Sequence, residues 1–342
     1  MEQSTIGPDE PCYILAEAGV NHNGDIELAK ELVNVAVEAG ANAVKFQTFN
    51  TAQLVTERTE TAGYQQRSGN IDQYEMLQSL ELQPGEFREL REHCLDCGIE
   101  FLSTPYDARS VELLASLGVD RYKIASADLV NKPLLERAAE TGSEIIISTG
   151  MATPEEIVRA VGWLNEAGAE QVAMLHCVST YPADFDQLNM RFIQTLDNLF
   201  DVPVGYSDHT LGIEAPVVAV SLGATVIEKH FTLDRSMDGP DHEASLEPDE
   251  LDAMVTAVRN AEESLGSAVK RRTTAERENA AVMRPSLHAA VDIAAGDSLT
   301  EENTSVKRPN DGLEPAALEL VLGQAVQEHV TAGQPITRDI LR

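Results

Sequence analysis

Residues 205–210 read GYSDHT and residues 226–231 read VIEKHF, so His209 and His230 stand about one strand-and-helix unit apart. Two imidazoles at the ends of neighbouring apolar runs can share a divalent cation, move protons, or sit as satisfied core groups. Ser207 and Asp208, just before His209, can orient a ligating ring by hydrogen bonding. Mixed nitrogen and oxygen ligation suits Mn, Zn or Fe, and completion by water and Glu17 favours Mn. Two lysines, Lys45 in AVKFQT and Lys123 in RYKIAS, fall inside apolar runs. A lone buried ammonium is prohibitive, so each must face an anionic ligand or pair with a carboxylate such as Glu17. With the hydroxyls of Thr104, Ser126 and Ser148 they make a cradle for phosphate and carboxylate. His176, in VAMLHC, either joins that pocket or braces it.

The elements that position these groups follow from the hydrophobic rhythm. Strands are expected at 13–18, 43–48, 99–104, 121–126, 144–149, 172–177, 202–207 and 225–230, each short, apolar and rich in β-branched residues. Between them run amphipathic segments such as DIELAKELVNVAVEAG, whose apolar residues recur at three and four and which stops on Gly40. TPEEIVRAVGWLNEAG repeats the plan, with Thr153 as N-cap and Pro154 in the first turn. Eight such units over about 260 residues predict an α/β fold of the (β/α)8 barrel type. A doubly wound sheet is the runner-up, but EAGVNHNG is not a glycine-rich phosphate loop of the GxGxxG kind. In a barrel the C-terminal strand ends face the active site. Here those ends carry Glu17, Asn21 and His22; Lys45 and Gln47; Ser103 and Thr104; and Lys123 and Ser126. The later strands add Ser148 and Thr149; His176, Ser179 and Tyr181; Ser207, Asp208 and His209; and Glu228, Lys229 and His230. Eight polar sets in succession point to one polar pocket. Residues 265–283 are charged and poor in apolar groups, a linker or linking helix, after which SLHAAVDIAAGDSLT and AVQEHVTAGQPITRDIL read as short β pieces. The expected organisation is a barrel at 1–264, a linker at 265–283 and a small, mostly β domain at 284–342.

Composition bounds the partners. The formal net charge is −32, with 25 Lys+Arg against 57 Asp+Glu spread along the chain. Such a field repels nucleic acid and anionic lipid, and an anionic substrate needs local cations. An acidic shell of this kind also fits a salt-loving host. No run approaches the ~18 apolar residues of a membrane span, and the N-terminus MEQSTIGPDEPC carries no apolar targeting segment, so a cytoplasmic location is expected. Cys12, Cys94, Cys97 and Cys177 are too few for a disulfide scaffold, and CLDC at 94–97 lacks a second pair to complete a zinc site.

AEAGVNHNGDIELAKELVNVAVEAGANAVKFQTF, FLSTPYD, YKIASADL, ISTGMAT, LHCVSTYP, GYSDHT, IEKHFTLDRSMDGPDHEASL and VKRP, in this order over essentially the whole chain, resemble the sialic acid (nonulosonate) synthases. The C-terminal segment is similar to antifreeze proteins, the SAF domain of that family. The resemblance implies condensation of phosphoenolpyruvate with an N-acylated hexosamine, N-acetylmannosamine first, giving N-acetylneuraminate and phosphate. It implies a divalent metal on His209 and His230, Mn2+ first, with Mg2+ or Co2+ as alternatives. Phosphoenolpyruvate would be held by Lys45, Thr104, Lys123, Ser126, Ser148, Ser179 and Ser207, with Glu17 and Lys45 beside the reacting centre. Gln47, Tyr181, Asp241 and Arg308 would contact the sugar, Arg308 from the other subunit of a domain-swapped homodimer. Ser179 stands where some members have asparagine, and Pro285 where an arginine is frequent. The 6-phosphate of the sugar, or a 6-deoxy diacetamido sugar leading to legionaminate or pseudaminate, are the competing acceptors. Their discrimination would fall to the loop at 56–73 and to the surroundings of Asp241. A metal-dependent barrel aldolase or hydrolase, and a non-enzymatic sugar-binding protein, are the more distant readings.

Overall fold

Strands buried on both faces need apolar, β-branched runs and parallel neighbours supplied through crossover helices. Eight runs meet that condition in the computed structural model, which describes residues 5–56 and 73–342. They are β1 Tyr13–Gly19, β2 Ala43–Thr48, β3 Glu100–Pro105, β4 Arg121–Ile124, β5 Glu144–Ser148, β6 Val172–Cys177, β7 Val204–Asp208 and β8 Val226–His230. The helices of this part are α1 Ile26–Glu38, α2 Thr51–Leu54, α3 Gln73–Leu80, α4 Pro84–Cys97, α5 Ala108–Leu117 and α6 Lys132–Ala139. They continue as α7 Pro154–Glu166, α8 Phe192–Leu199, α9 Glu214–Ser221 and α10 Pro248–Leu265. The sheet order is β3-β2-β1-β8-β7-β6-β5-β4, with every hydrogen-bonded pair parallel. β3 and β4 lie side by side and close the ring. This is the expected (β/α)8 barrel.

Alternation along the strands sorts the residues. Ile14, Ala16, Val44, Tyr122, Ile145, Met174, Tyr206 and Ile227 face outward into a continuous core with the helices. Tyr13, Leu15, Ala43, Leu102, Ile146, Ala173, Leu175 and Val226 fill the barrel interior. Below that plug Arg121 donates to Glu100 and Glu144 at 2.6 and 2.5 Å, and the Tyr13 hydroxyl donates to Glu100 at 2.9 Å. Above it, the next inward positions on the same strands are Glu17, Lys45, Thr104, Lys123, Ser148, Cys177, Ser207 and Glu228. The period of two therefore places a polar layer on the apolar one.

The chain divides into two compact units between Gly266 and Ser267. The second unit opens with α11 Thr274–Met283, capped reciprocally by Thr273 and Glu276, in the stretch read as a linker or linking helix. It continues with the antiparallel pair β9 Ser286–Ala289 and β10 Thr304–Lys307, then the short helix α12 Leu318–Val321. Leu287, Ala289, Ile293, Leu299, Val326, Val330 and Ile336 form its own core. Cys94 and Cys97 lie on α4 as free thiols. Among the described residues, no helix is long and apolar enough to cross a membrane.

Candidate active site

A cavity of ≈ 360 Å³ opens at the C-terminal end of the barrel strands, within the range of about 300–1,000 Å³ usual for small-ligand clefts. It is lined by Glu17, Lys45, Gln47, Thr104, Lys123, Ser126, Ser148, Ser179, Tyr181, Ser207, His209, His230 and Asp241, all singled out from the sequence. Arg308 lies in the second unit, directly after β10. Residues 57–72, most of the loop expected to select the acceptor, lie outside the described residues.

The lysines do pair with carboxylates, and they still face the cavity. Lys45 Nζ lies 2.7 Å from Glu17 Oε2 and 3.3 Å from Glu228 Oε1, and donates to Thr104 Oγ1 at 2.9 Å. Lys123 Nζ lies 3.2 Å from Glu228 Oε2 and donates to Ser148 Oγ at 2.6 Å. Glu228 thus bridges both ammonium groups. Burial alone would raise its carboxyl, but Lys123 and Lys45 override that and hold it well below the usual carboxylate range. Glu17 shows the opposite balance. Burial lifts its carboxyl to about 7, Lys45 draws it back and Glu228 pushes it further up.

His209 Nδ1 lies 2.8 Å from the Val178 carbonyl, which can only accept, so Nδ1 carries a proton and donates it there. The His209 and His230 ring centroids are 5.4 Å apart, and Tyr181 lies 4.1 Å from the His209 ring. His230 Nδ1 is buried without a hydrogen-bond partner, 3.9 Å from Asp241 Oδ2. Burial, helped by His209 and Lys45, holds the His230 ring well below the ordinary imidazole value and hence neutral. Burial lifts the Asp241 carboxyl to about 6 although His209 and Lys45 pull it down. A neutral ring with an orphaned nitrogen, and a second ring held by its Nδ1 on a backbone carbonyl, fit a divalent cation. Among the described residues no three His, Cys, Asp or Glu side chains are grouped to hold one by themselves. Water or substrate oxygens would have to complete its shell.

Gly19, at φ +55°, ends β1 where three side chains converge: a Cβ there would lie 3.3 Å from Glu17, 3.4 Å from Asp241 and 3.5 Å from Gln47. Ser126 Oγ accepts from the Gly150 amide at 3.0 Å, and Ser179 Oγ lies 3.8 Å from Cys177 Sγ. His176 turns outward and meets the Leu188 carbonyl at 2.7 Å, so it braces β6 and does not line the cavity. Asn21 and His22 also turn away; Asn21 donates to Phe231 O and Ser245 Oγ.

Sequence reasoning gave no role to two features. Glu228 was legible as a strand-end carboxylate two positions before His230, hence on the same face, but its partners come from β2 and β4 across the barrel. An apolar wall, formed by Val20, Leu54, Met76, Leu77, Leu80 and Tyr106, lines one side of the cavity. Val20, Met76 and Leu80 pack with Phe49 in a cluster of their own, and α3 alone reads as an ordinary amphipathic helix.

Comparison with known proteins adds kinship to this geometry. The NeuB family profile matches residues 32–270 and the SAF domain profile residues 284–342. The chain is 43% identical to the N,N'-diacetyllegionaminic acid synthase of Legionella pneumophila over 333 residues, covering 96% of this chain and 94% of that protein. It is 44% identical to the protein of the same name from Campylobacter jejuni, covering 91% and 94%. Among solved structures, an N-acetylneuraminic acid (sialic acid) synthetase from Leptospira borgpetersenii, in complex with citrate, superposes with a TM-score of 0.72. It shares 38% identity and covers 82% of this chain and 93% of its own.

Proposed function

The chain belongs to the NeuB family, and we propose that it is a nonulosonic acid synthase that joins phosphoenolpyruvate to an N-acetylated amino sugar and releases phosphate. The observation that carries this reading is the pair of buried lysines, bridged by Glu228 and flanked by Thr104 and Ser148, on the floor of the cavity that also holds both imidazoles. Two ammonium groups and a row of hydroxyls can take the phosphate and carboxylate of an enol phosphate through charge-assisted hydrogen bonds. That grip directs C3 of the enol at the aldehyde carbon of the open-chain sugar. As the C–C bond forms, C2 loses electron density and is trapped by water, and the adduct expels phosphate by C–O cleavage. Glu17, whose carboxyl is lifted toward neutrality, takes the proton from that water. A divalent cation on His209 and His230, Mn2+ first with Mg2+ or Co2+ as alternatives, supplies polarisation of the aldehyde oxygen when bound. Gln47, Asp241 and Tyr181 hydrogen-bond and pack against the sugar.

The sequence alone puts N-acetylmannosamine first as acceptor. The apolar wall of Val20, Leu54, Met76, Leu77, Leu80 and Tyr106 favours instead a 6-deoxy diacetamido sugar. Its C6 methyl and second acetyl methyl can leave water against that wall, worth about 0.8 kcal/mol per buried carbon. The two diacetyllegionaminic acid synthases in the comparison support the same choice. For a 6-phosphate, the ammonium groups among the described lining residues are Lys45 and Lys123, which this reading already assigns to phosphoenolpyruvate. The test is a panel of the three acceptors with phosphoenolpyruvate and Mn2+, reading phosphate release and product mass. The diacetamido sugar is expected to give the highest kcat/KM and the phosphorylated sugar the lowest. No phosphate release with any acceptor, or release without one, would end the synthase reading. A homodimer whose subunits exchange Arg308 belongs to the same proposal. Mixing inactive Arg308→Ala and inactive His209→Ala chains should restore part of the activity only if each active site draws on two subunits.

A further inference from the structure

β7 and β8 each deliver one imidazole to the cavity, and a charge pair on their far side ties the two strands together. Ser207 is in register with Glu228, and Asp208 with Lys229. Alternation sends Ser207, Glu228 and His230 to the cavity and Asp208 and Lys229 to the outer side, where both side chains are 0% exposed. Lys229 Nζ donates to Asp208 Oδ2 and to the Thr210 carbonyl, each at 2.5 Å, and to Thr210 Oγ1 at 3.4 Å. Asp208 Oδ1 accepts from the Tyr206 hydroxyl at 3.2 Å and the Thr210 amide at 3.0 Å, and Oδ2 accepts from Thr210 Oγ1 at 3.1 Å. Every donor of the ammonium is used, and the residues before and after His209 are both fastened to the residue before His230.

A buried ion pair is a poor way to gain stability, since apolar residues of equal volume commonly do as well. What this one supplies is geometry. With two protein nitrogens as the donor set, affinity for a cation depends on how well their separation and tilt are fixed before the ion arrives. We propose that Asp208 and Lys229 form a positioning pair that sets the spacing of His209 and His230, acting through the two rings and touching neither substrate nor ion. The inference rests on the reading that those histidines hold a divalent cation.

The test uses the full-length chain and Mn2+ alone as probe, titrated against the metal-free protein with free Mn2+ read by electron paramagnetic resonance. The double variant Asp208→Asn/Lys229→Met keeps the volumes and removes both charges together. Its metal-free form is expected to melt near the wild-type temperature while Mn2+ binds about 10–100-fold more weakly, the usual effect of altering groups behind metal ligands. In steady state kcat should fall with the KM for phosphoenolpyruvate little changed, because the lysine floor is untouched. A folded double variant with a wild-type Mn2+ constant overturns the inference and leaves the pair purely structural. Should that variant not fold, Tyr206→Phe, which removes one donor to Asp208 and no charge, carries the test. Weaker Mn2+ binding then supports the positioning role, and an unchanged constant overturns it. Absence of Mn2+ uptake by the wild-type protein would instead overturn the metal reading itself, and this inference with it.

Discussion

Glu228 places one carboxylate oxygen against each lysine, and Glu17 adds a second carboxylate at Lys45, so the cavity floor is internally neutralised before any ligand enters. Affinity for an enol phosphate then depends on directed donors more than on net charge. Lys123→Met removes an ammonium that can offer two charged hydrogen bonds, each worth about 1.5–3 kcal/mol. The KM for phosphoenolpyruvate should rise on the order of 10²-fold, with Mn2+ binding at the histidines unchanged. A KM within a few-fold of wild type would remove Lys123 from the anion cradle. Glu17 sets the pH dependence. Its carboxyl is raised to about 7 by burial, and the water-activating form is the deprotonated one. The sign follows: kcat/KM should climb as pH rises through about 7, and Glu17→Gln should leave a much lower rate without that limb. A wild-type profile flat from about pH 5.5 to 8.5 would assign the proton transfer elsewhere.

At the scale of elements, the site depends on how closely β7 can approach β8. Gly205 makes that approach possible, since a Cβ there would lie 2.4 Å from the Val226 carbonyl and 2.7 Å from Leu175. Gly205→Ala should therefore cost about 1–3 kcal/mol of stability through overpacking and loosen Mn2+ binding as β7 shifts, both readable from one thermal melt with and without the ion. An alanine variant as stable as wild type would mean that the strands yield freely. The same elements show what the sequence could reveal. Strand ends fell within two residues of expectation because β-branched runs and glycine stops encode them locally. The inward parity of Glu17, Lys45, Lys123 and Ser148 was legible because it follows from a period of two. The bridge of Glu228 to β2 and β4 was not, since it exists only once the ring closes. The wall from α2 and α3 stayed hidden because one helix of eight residues presents the same apolar face whether it covers a core or a ligand. The outward pair of Asp208 and Lys229 was hidden for a related reason: cross-strand register is a property of two segments together.

For the whole molecule, the charge of −32 has to be weighed against the two lysines that hold an anion. Salt acts on both in opposite directions. It screens repulsion among surface carboxylates, which favours the compact state and the approach of an anionic substrate, and it also weakens lysine–phosphate attraction. Burial decides between them. Lys45 and Lys123 are 4% and 3% exposed, so their contacts are little screened, whereas most of the acidic shell lies in solvent. Between ~0.1 M and ~1 M KCl the Debye length falls from about 10 Å to 3 Å. Over that interval the melting temperature should rise by on the order of 5 °C, roughly 2 kcal/mol for a chain of this size, while the KM for phosphoenolpyruvate falls. Most of both changes should come early in the titration, as screening saturates, and an uncharged osmolyte at equal water activity should not reproduce the KM effect. If KM instead rises steadily with KCl, attraction at the floor outweighs repulsion by the surface. The acidic shell would then have no part in how the substrate is received.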